Sequence, residues 1–189
     1  LGVITEVTLK LTTKPKKSAS CICAFDDVEA AGRCISNIIA KPLIPASCEL
    51  MDSLAIYAVN KARGNPLPDC NSLIIVEVDG ETDEIIERDL KIVEEVAKES
   101  GAKEVIPSHD KKEIAKWTDA RKSVMTSLSA LKPGHVSVSL ADDMGVPISK
   151  VPEAVKAFEE IAKKHNVTIA TYGHASDGNL HTKMVLDPY

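Results

Sequence analysis

Apolar positions along the chain recur with two periods, near two and near 3.6 residues, and the switches between them divide it into strand-like and helical segments. Residues 1–11 alternate, Val7, Leu9 and Leu11 against Glu6, Thr8 and Lys10, and predict a strand. After the linker Thr12-Thr-Lys-Pro-Lys-Lys17, residues 18–25 read as a strand and 27–40 as a helix opened by acidic residues. A short strand over 47–51 leads into a helix over 53–62 that ends at Arg63-Gly-Asn-Pro66. Residues 72–78 form a strongly apolar strand stopped by Asp79-Gly80. Residues 82–100 carry the apolar stripe of a long helix, Ile85, Ile86, Leu90, Ile92, Val93 and Val96, closed by Gly101. A strand over 103–107 follows.

The order then starts again. A helix is expected over 111–131, a strand over 135–140, a helix over 150–165 and a strand over 167–172. A tight turn leads to a last strand over 180–186. The first half reads β-α-β, an added helix, then β-α-β, and the second half reads β-α-β-β. This predicts an α+β fold of ferredoxin-like units, one complete and a second truncated, in an antiparallel sheet with helices packed on one face. The missing last α-β, and a chain that opens at Leu1 inside a strand-like run, read as a fragment trimmed at both ends.

Composition narrows the functions this fold can serve. The net charge is −5 over 189 residues and no dense basic patch is present, which argues against nucleic acid. With only two Phe, one Trp and three Tyr, base-stacking platforms are not expected. Apolar runs such as Leu73-Ile-Ile-Val76 are far shorter than the ~18 residues of a membrane span. Five cysteines, an odd number without C-x-x-C spacing, fit reduced thiols and a cytoplasmic location.

Chemistry concentrates in Tyr172-Gly-His-Ala-Ser-Asp-Gly-Asn-Leu-His181. Asp177-Gly178-Asn179 are turn residues, and a reversal there sets His174 and His181 nearly opposite each other. Cross-strand Cβ atoms lie ~4.5–5.5 Å apart, so two imidazoles on one face can converge on a divalent ion of the Zn, Mn or Fe kind. The bland alternative is a surface hairpin with two histidines flanking its turn. A catalytic metal centre wants a third ligand, for which Asp142, Asp143 and Asp187 are weak candidates. Trp117 reads as core, His109 as a cap-region residue, and His135 and His165 as structural or solvated.

Gly173-His-Ala-Ser-Asp-Gly-Asn-Leu-His181 resembles the G-H-x-G-D-G-N-x-H signature of the FAD-linked oxidase C-terminal domain family, which includes glycolate oxidase FAD subunits and cytochrome-type D-lactate dehydrogenases. Other segments resemble it in order. Gly2-Val-Ile-Thr-Glu6 is similar to the closing strand of the family's FAD-binding domain. Pro45-Ala-Ser-Cys-Glu-Leu-Met-Asp52 is similar to P-x-x-x-E-x-M-D, and Trp117-Thr-Asp-Ala-Arg121, with one residue more between Trp and Arg, to W-x-x-R. Asp143-Met-Gly-Val-Pro-Ile-Ser-Lys-Val-Pro-Glu153 is similar to the strand-to-helix step D-x-x-V-P-x-x-x-x-P.

The resemblance implies that residues 1–14 are the last strand and exit linker of an FAD-binding domain. Residues 15–189 would then be a substrate-cap domain, incomplete at its C-terminus and inactive alone. FAD would be held mainly by the preceding domain. His174 and His181 match the family's metal-binding histidines and would be its catalytic pair, with a third, acidic ligand from beyond the hairpin. Arg121 matches the arginine that pairs with a substrate carboxylate. Lys183, two positions after the second histidine, would hold a carboxylate or be solvated, the solvated state being the simpler. The implied reaction is oxidation of a small D-2-hydroxyacid to the 2-oxoacid, with an electron-acceptor protein or Fe–S subunit and a second copy of the chain as possible partners. The competing class is a ferredoxin-like binding or regulatory module without redox chemistry; hydrolytic zinc chemistry ranks last for want of a base.

Overall fold

The computed structural model describes residues 2–131, 134–139 and 143–187. Its strands are β1 (Lys17–Phe25), β2 (Ser47–Asp52), β3 (Ser72–Gly80), β4 (Glu104–Ser108), β5 (Val136–Val138), β6 (Met144–Gly145), β7 (Thr168–His174) and β8 (Asn179–Leu186). The helices are α1 (Val28–Ile39), α2 (Ser53–Arg63), α3 (Asp83–Glu99), α4 (Lys111–Lys122), α5 (Val124–Ser129) and α6 (Val151–His165). The strands make one antiparallel sheet in the order β4-β1-β3-β2-β7-β8-β5, with β6 added beside β8. The run β4-β1-β3-β2 is a complete ferredoxin-like unit. The run β7-β8-β5 supplies three strands of a second, and the units join edge to edge through β2 and β7.

Local chemistry explains the helix ends. Asp27 caps α1 by accepting the Ala30 N–H at 2.6 Å, and Thr82 caps α3 through Ile85 at 3.4 Å. Gly101, at φ +91°, closes α3 and lets Ala102 N–H reach back to the Ala97 carbonyl at 2.9 Å.

Three expectations are corrected. The helices do not all share one face. The ferredoxin-like crossovers α1, α3 and α6 do, packing on Cys21, Cys23, Leu50, Ile74 and Val76. The opposite face is covered by α2, α4 and α5, which bury Ile22, Met51, Leu73 and Ile75. Because β1 and β3 are apolar on both sides, both faces need cover. The single helix expected over 111–131 is broken at Ser123, whose hydroxyl donates to the Ala120 carbonyl at 2.7 Å and competes with the helical ladder. Residues 2–15 form no strand, and Val3, Ile4, Val7, Leu9 and Leu11 stay exposed, since no strand of this chain pairs with them. Of the strand expected over 135–140, Val136–Val138 form; Leu140 lies outside the described residues.

Candidate functional site

The β7–β8 hairpin turns through Ala175-Ser176-Asp177-Gly178, with Gly178 at φ +76° and Asp177 Oδ1 accepting the Asn179 N–H at 3.0 Å. His174 therefore pairs with Asn179, and Tyr172 with His181. The histidines, expected nearly opposite each other, are diagonal neighbours on one face, because the turn takes four residues. Their ring centroids still lie 5.6 Å apart, at 84°.

Strand β2 brings a residue to which the sequence assigned no role. Glu49 sits opposite His174 across the seam between the two units. Its Oε1 lies 2.6 Å from His174 Nδ1, and its Oε2 accepts from Arg121 Nε at 2.8 Å, with Arg121 Nη2 at 2.7 Å. Arg121 and Glu49 side chains are each only 15% exposed. The signals in the sequence were the fixed E of the P-x-x-x-E-x-M-D resemblance and a glutamate in a strand otherwise bound for the core; its partners lie 72 and 125 residues away, beyond any local pattern. Helix α4 presents Trp117 and Arg121 on one side, as the i, i+4 spacing requires. Trp117 is buried in the core, and the guanidinium lies 5.5 Å from the Tyr172 ring centre.

On the other strand, His181 Nδ1 lies 3.2 Å from Asp143 Oδ1, which also accepts from Asn179 Nδ2 at 3.3 Å. Asp143 thus reaches the site through Nδ1 of His181; Asp142 lies outside the described residues. Lys183 shares the His181 face, but it is not solvated: it is only 7% exposed. Its strand lies under α5, whose Val124 and Leu128 join Ala170, Tyr172 and Val185 in the core on that face of the sheet. Arg121, Lys122, Met125, Asp143, Tyr172, His181 and Lys183 line an open cleft of about 440 Å³. Three of those seven side chains are cationic and one is acidic, which suits an anionic ligand.

Buried Asp52 fastens strand β7 to the start of α2. Its Oδ1 caps the helix through Ala55 N–H at 2.8 Å, and its Oδ2 accepts from Thr171 N–H, next to Tyr172. Burial pushes its carboxyl up to about 7, against the pull of these N–H donors.

Among the described residues, no group of three His, Cys, Asp or Glu side chains is placed to hold a metal ion. The two imidazoles nevertheless fit as a pair of ligands. Each has Nδ1 against a carboxylate, and this is how proteins orient a ligating histidine toward a metal through its other nitrogen. No helix among the described residues is long and apolar enough to cross a membrane. All five cysteines are free thiols.

With fold and cleft defined, comparison with known proteins gives the class. The family described as FAD linked oxidases, C-terminal domain, matches residues 14–189, and the chain belongs to it. Among curated relatives, the glycolate oxidase subunit GlcD of Bacillus subtilis (strain 168) is 33% identical over 188 residues, covering 99% of this chain and 39% of the relative. The same subunit of Escherichia coli (strain K12) is 30% identical over 190 residues, covering 99% and 37%. The mitochondrial D-lactate dehydrogenase (cytochrome) of Arabidopsis thaliana is 28% identical over 188 residues, covering 100% and 32%. The chain thus spans well under half the length of these relatives. Among solved structures, an alkyldihydroxyacetonephosphate synthase aligns with TM-score 0.62 at 13% identity, over 90% of this chain and 36% of that one. A p-cresol methylhydroxylase with substrate bound aligns with TM-score 0.60 at 13% identity, over 92% and 39%. These two establish the fold alone.

Proposed function

We propose that this chain is the substrate-binding part of an FAD-dependent enzyme that oxidises a small D-2-hydroxyacid, such as glycolate or D-lactate, to the 2-oxoacid. In that reaction the Cα–H leaves as hydride to the flavin and the hydroxyl gives up its proton. Family membership supports the FAD-linked class. The observation that carries the substrate class is the meeting of His181, Arg121 and Lys183 at one cleft, with the His174 ring 5.6 Å from that of His181.

Each group has a task in this reading. The Arg121 guanidinium, held against the Tyr172 ring, takes the substrate carboxylate through N–H groups not used by Glu49. Lys183 adds a second positive charge on the same wall. His174 and His181 would hold a divalent metal, which when bound supplies Lewis-acid polarisation of the substrate hydroxyl. Tyr172 and Met125 form the apolar part of the wall, against which a short side chain packs. FAD supplies the electron sink and would be held mainly outside this chain.

The test is the intact protein that carries this chain, purified with its flavin and offered glycolate, D-lactate and L-lactate with a dye acceptor. Dye reduction with glycolate or the D-enantiomer is expected. Failure to oxidise any 2-hydroxyacid would refute the proposal.

A further inference from the structure

We infer that Glu49 is a positioning residue that sets His174 and Arg121 together, one carboxylate oxygen to each. This deepens the reading above, since it rests on His174 and Arg121 being the groups that meet ligand. The geometry is specific. Oε1 faces His174 Nδ1 at 2.6 Å while Oε2 takes the Nε–H of Arg121 at 2.8 Å, and the carboxylate is largely shielded from water. The three side chains come from β2, β7 and α4, so Glu49 ties the seam between the two ferredoxin-like units to the helix on its second face.

An ionised carboxylate only accepts. Nδ1 of His174 must then carry the hydrogen, and Nε2 keeps the lone pair that a metal requires. The same charge balances Arg121, so a buried guanidinium is kept in one orientation without a substrate present. Glutamine at this position has the same shape but a single acceptor oxygen. That oxygen belongs with the guanidinium, where the bond is charge-assisted. The amide NH₂ then faces His174, which accepts on Nδ1 and moves its hydrogen to Nε2. The ligating nitrogen is lost without any loss of packing.

The tautomer can be read directly, without metal or substrate, from imidazole ¹⁵N chemical shifts of the 189-residue chain. The wild type is expected to hold His174 as Nδ1–H, and Glu49→Gln to convert it to Nε2–H, while His181, set by Asp143, stays Nδ1–H in both. Co²⁺ titration should show affinity weakened about 10–100-fold in Glu49→Gln. Glu49→Asp keeps two acceptor oxygens and should retain the Nδ1–H tautomer, which decides the matter if the glutamine variant fails to fold. A wild-type His174 that is Nε2–H, a glutamine variant that keeps Nδ1–H, or an aspartate variant that loses it would overturn the inference. A tautomer switch in a chain that binds no Co²⁺ would support positioning by Glu49 and count against the metal reading alone.

Discussion

His181 lies across the hairpin from Tyr172, not from His174, yet the two imidazoles stand 5.6 Å apart on one face because they are diagonal neighbours. A directly opposed pair would crowd its rings over one another. The diagonal pair leaves Tyr172 beside His181, with ring centres 5.4 Å apart, as part of the cleft wall. If both imidazoles ligate one ion, neither is useful alone. His174→Ala and His181→Ala should each abolish most Co²⁺ binding, and the double variant should add little, since paired ligands act as a unit. Absorption titration of the three variants checks this, and additive, partial losses would speak against a shared ion.

Gly178 should tolerate no side chain. It sits at φ +76°, and a Cβ there would run into the carbonyl oxygen of Val146, whose own N–H donates to the Gly178 carbonyl at 2.9 Å. The close approach holds the Asp143–Val146 segment against the hairpin tip, through the β6–β8 pairing, and so places Asp143 on His181. Gly178→Ala is expected to cost about 1–3 kcal/mol from backbone strain alone, and to release Asp143 from the ring. The urea midpoint should fall, and the His181 imidazole resonances should shift while those of His174 hold.

Arg121→Lys keeps the charge but loses the planar fork and the Nε donor to Glu49. If the intact protein oxidises a 2-hydroxyacid as proposed, losing a hydrogen bond to a charged group, worth about 1.5–3 kcal/mol, should raise its KM for that substrate roughly 10–150-fold. The change in kcat should be smaller if the guanidinium binds ground state and transition state alike. Steady-state kinetics on the variant decide it: an unchanged KM would remove Arg121 from the substrate site.

The thiols should differ sharply in reactivity. Burial pushes Cys34 up to about 12, and Cys48 and Cys23 are raised as well, all three within the core. Cys70, partly exposed, is raised only to about 11. At pH 8 a disulfide reagent should therefore titrate Cys70 slowly in the folded chain, and the other four only on unfolding. Fast release of several equivalents without denaturant would contradict the buried core.

What the sequence exposed and what it hid divide along the range of the interactions. The ferredoxin-like order was legible because strand and helix periods, and caps such as Asp27 and Gly101, are local. The histidine pair was legible because its seven-residue spacing brackets a turn. Glu49 was not, for its role exists only once β2 of one unit pairs with β7 of the other. Lys183 was misread for a related reason. Alternation placed it on the right face, but its burial follows from tertiary packing, which no local pattern states. The one-face helix arrangement failed where β1 and β3 carried apolar side chains on both sides, a pattern that fixes burial but not which helix supplies it.

Asp52 links the stability of this scaffold to pH. Its carboxyl is raised to about 7 in the fold, chiefly by burial, whereas in an unfolded chain it titrates near ~3.9. Between those values the native state binds more protons than the unfolded one, so this residue's contribution to stability is complete below about pH 4 and is lost as the pH rises toward 7. Asparagine cannot ionise; its single amide oxygen can accept from Ala55 or Thr171, but its NH₂ faces the other N–H, a cost that does not change with pH. Asp52→Asn should therefore match the wild type most nearly, or fall below it most, at pH 4.5, and gain on it steadily up to pH 7.5. Urea midpoints for the two chains at four pH values across this range test the sign, because other titrating groups cancel in the difference. Parallel curves would mean that Asp52 is ionised throughout, held by its two N–H donors against the cost of burial.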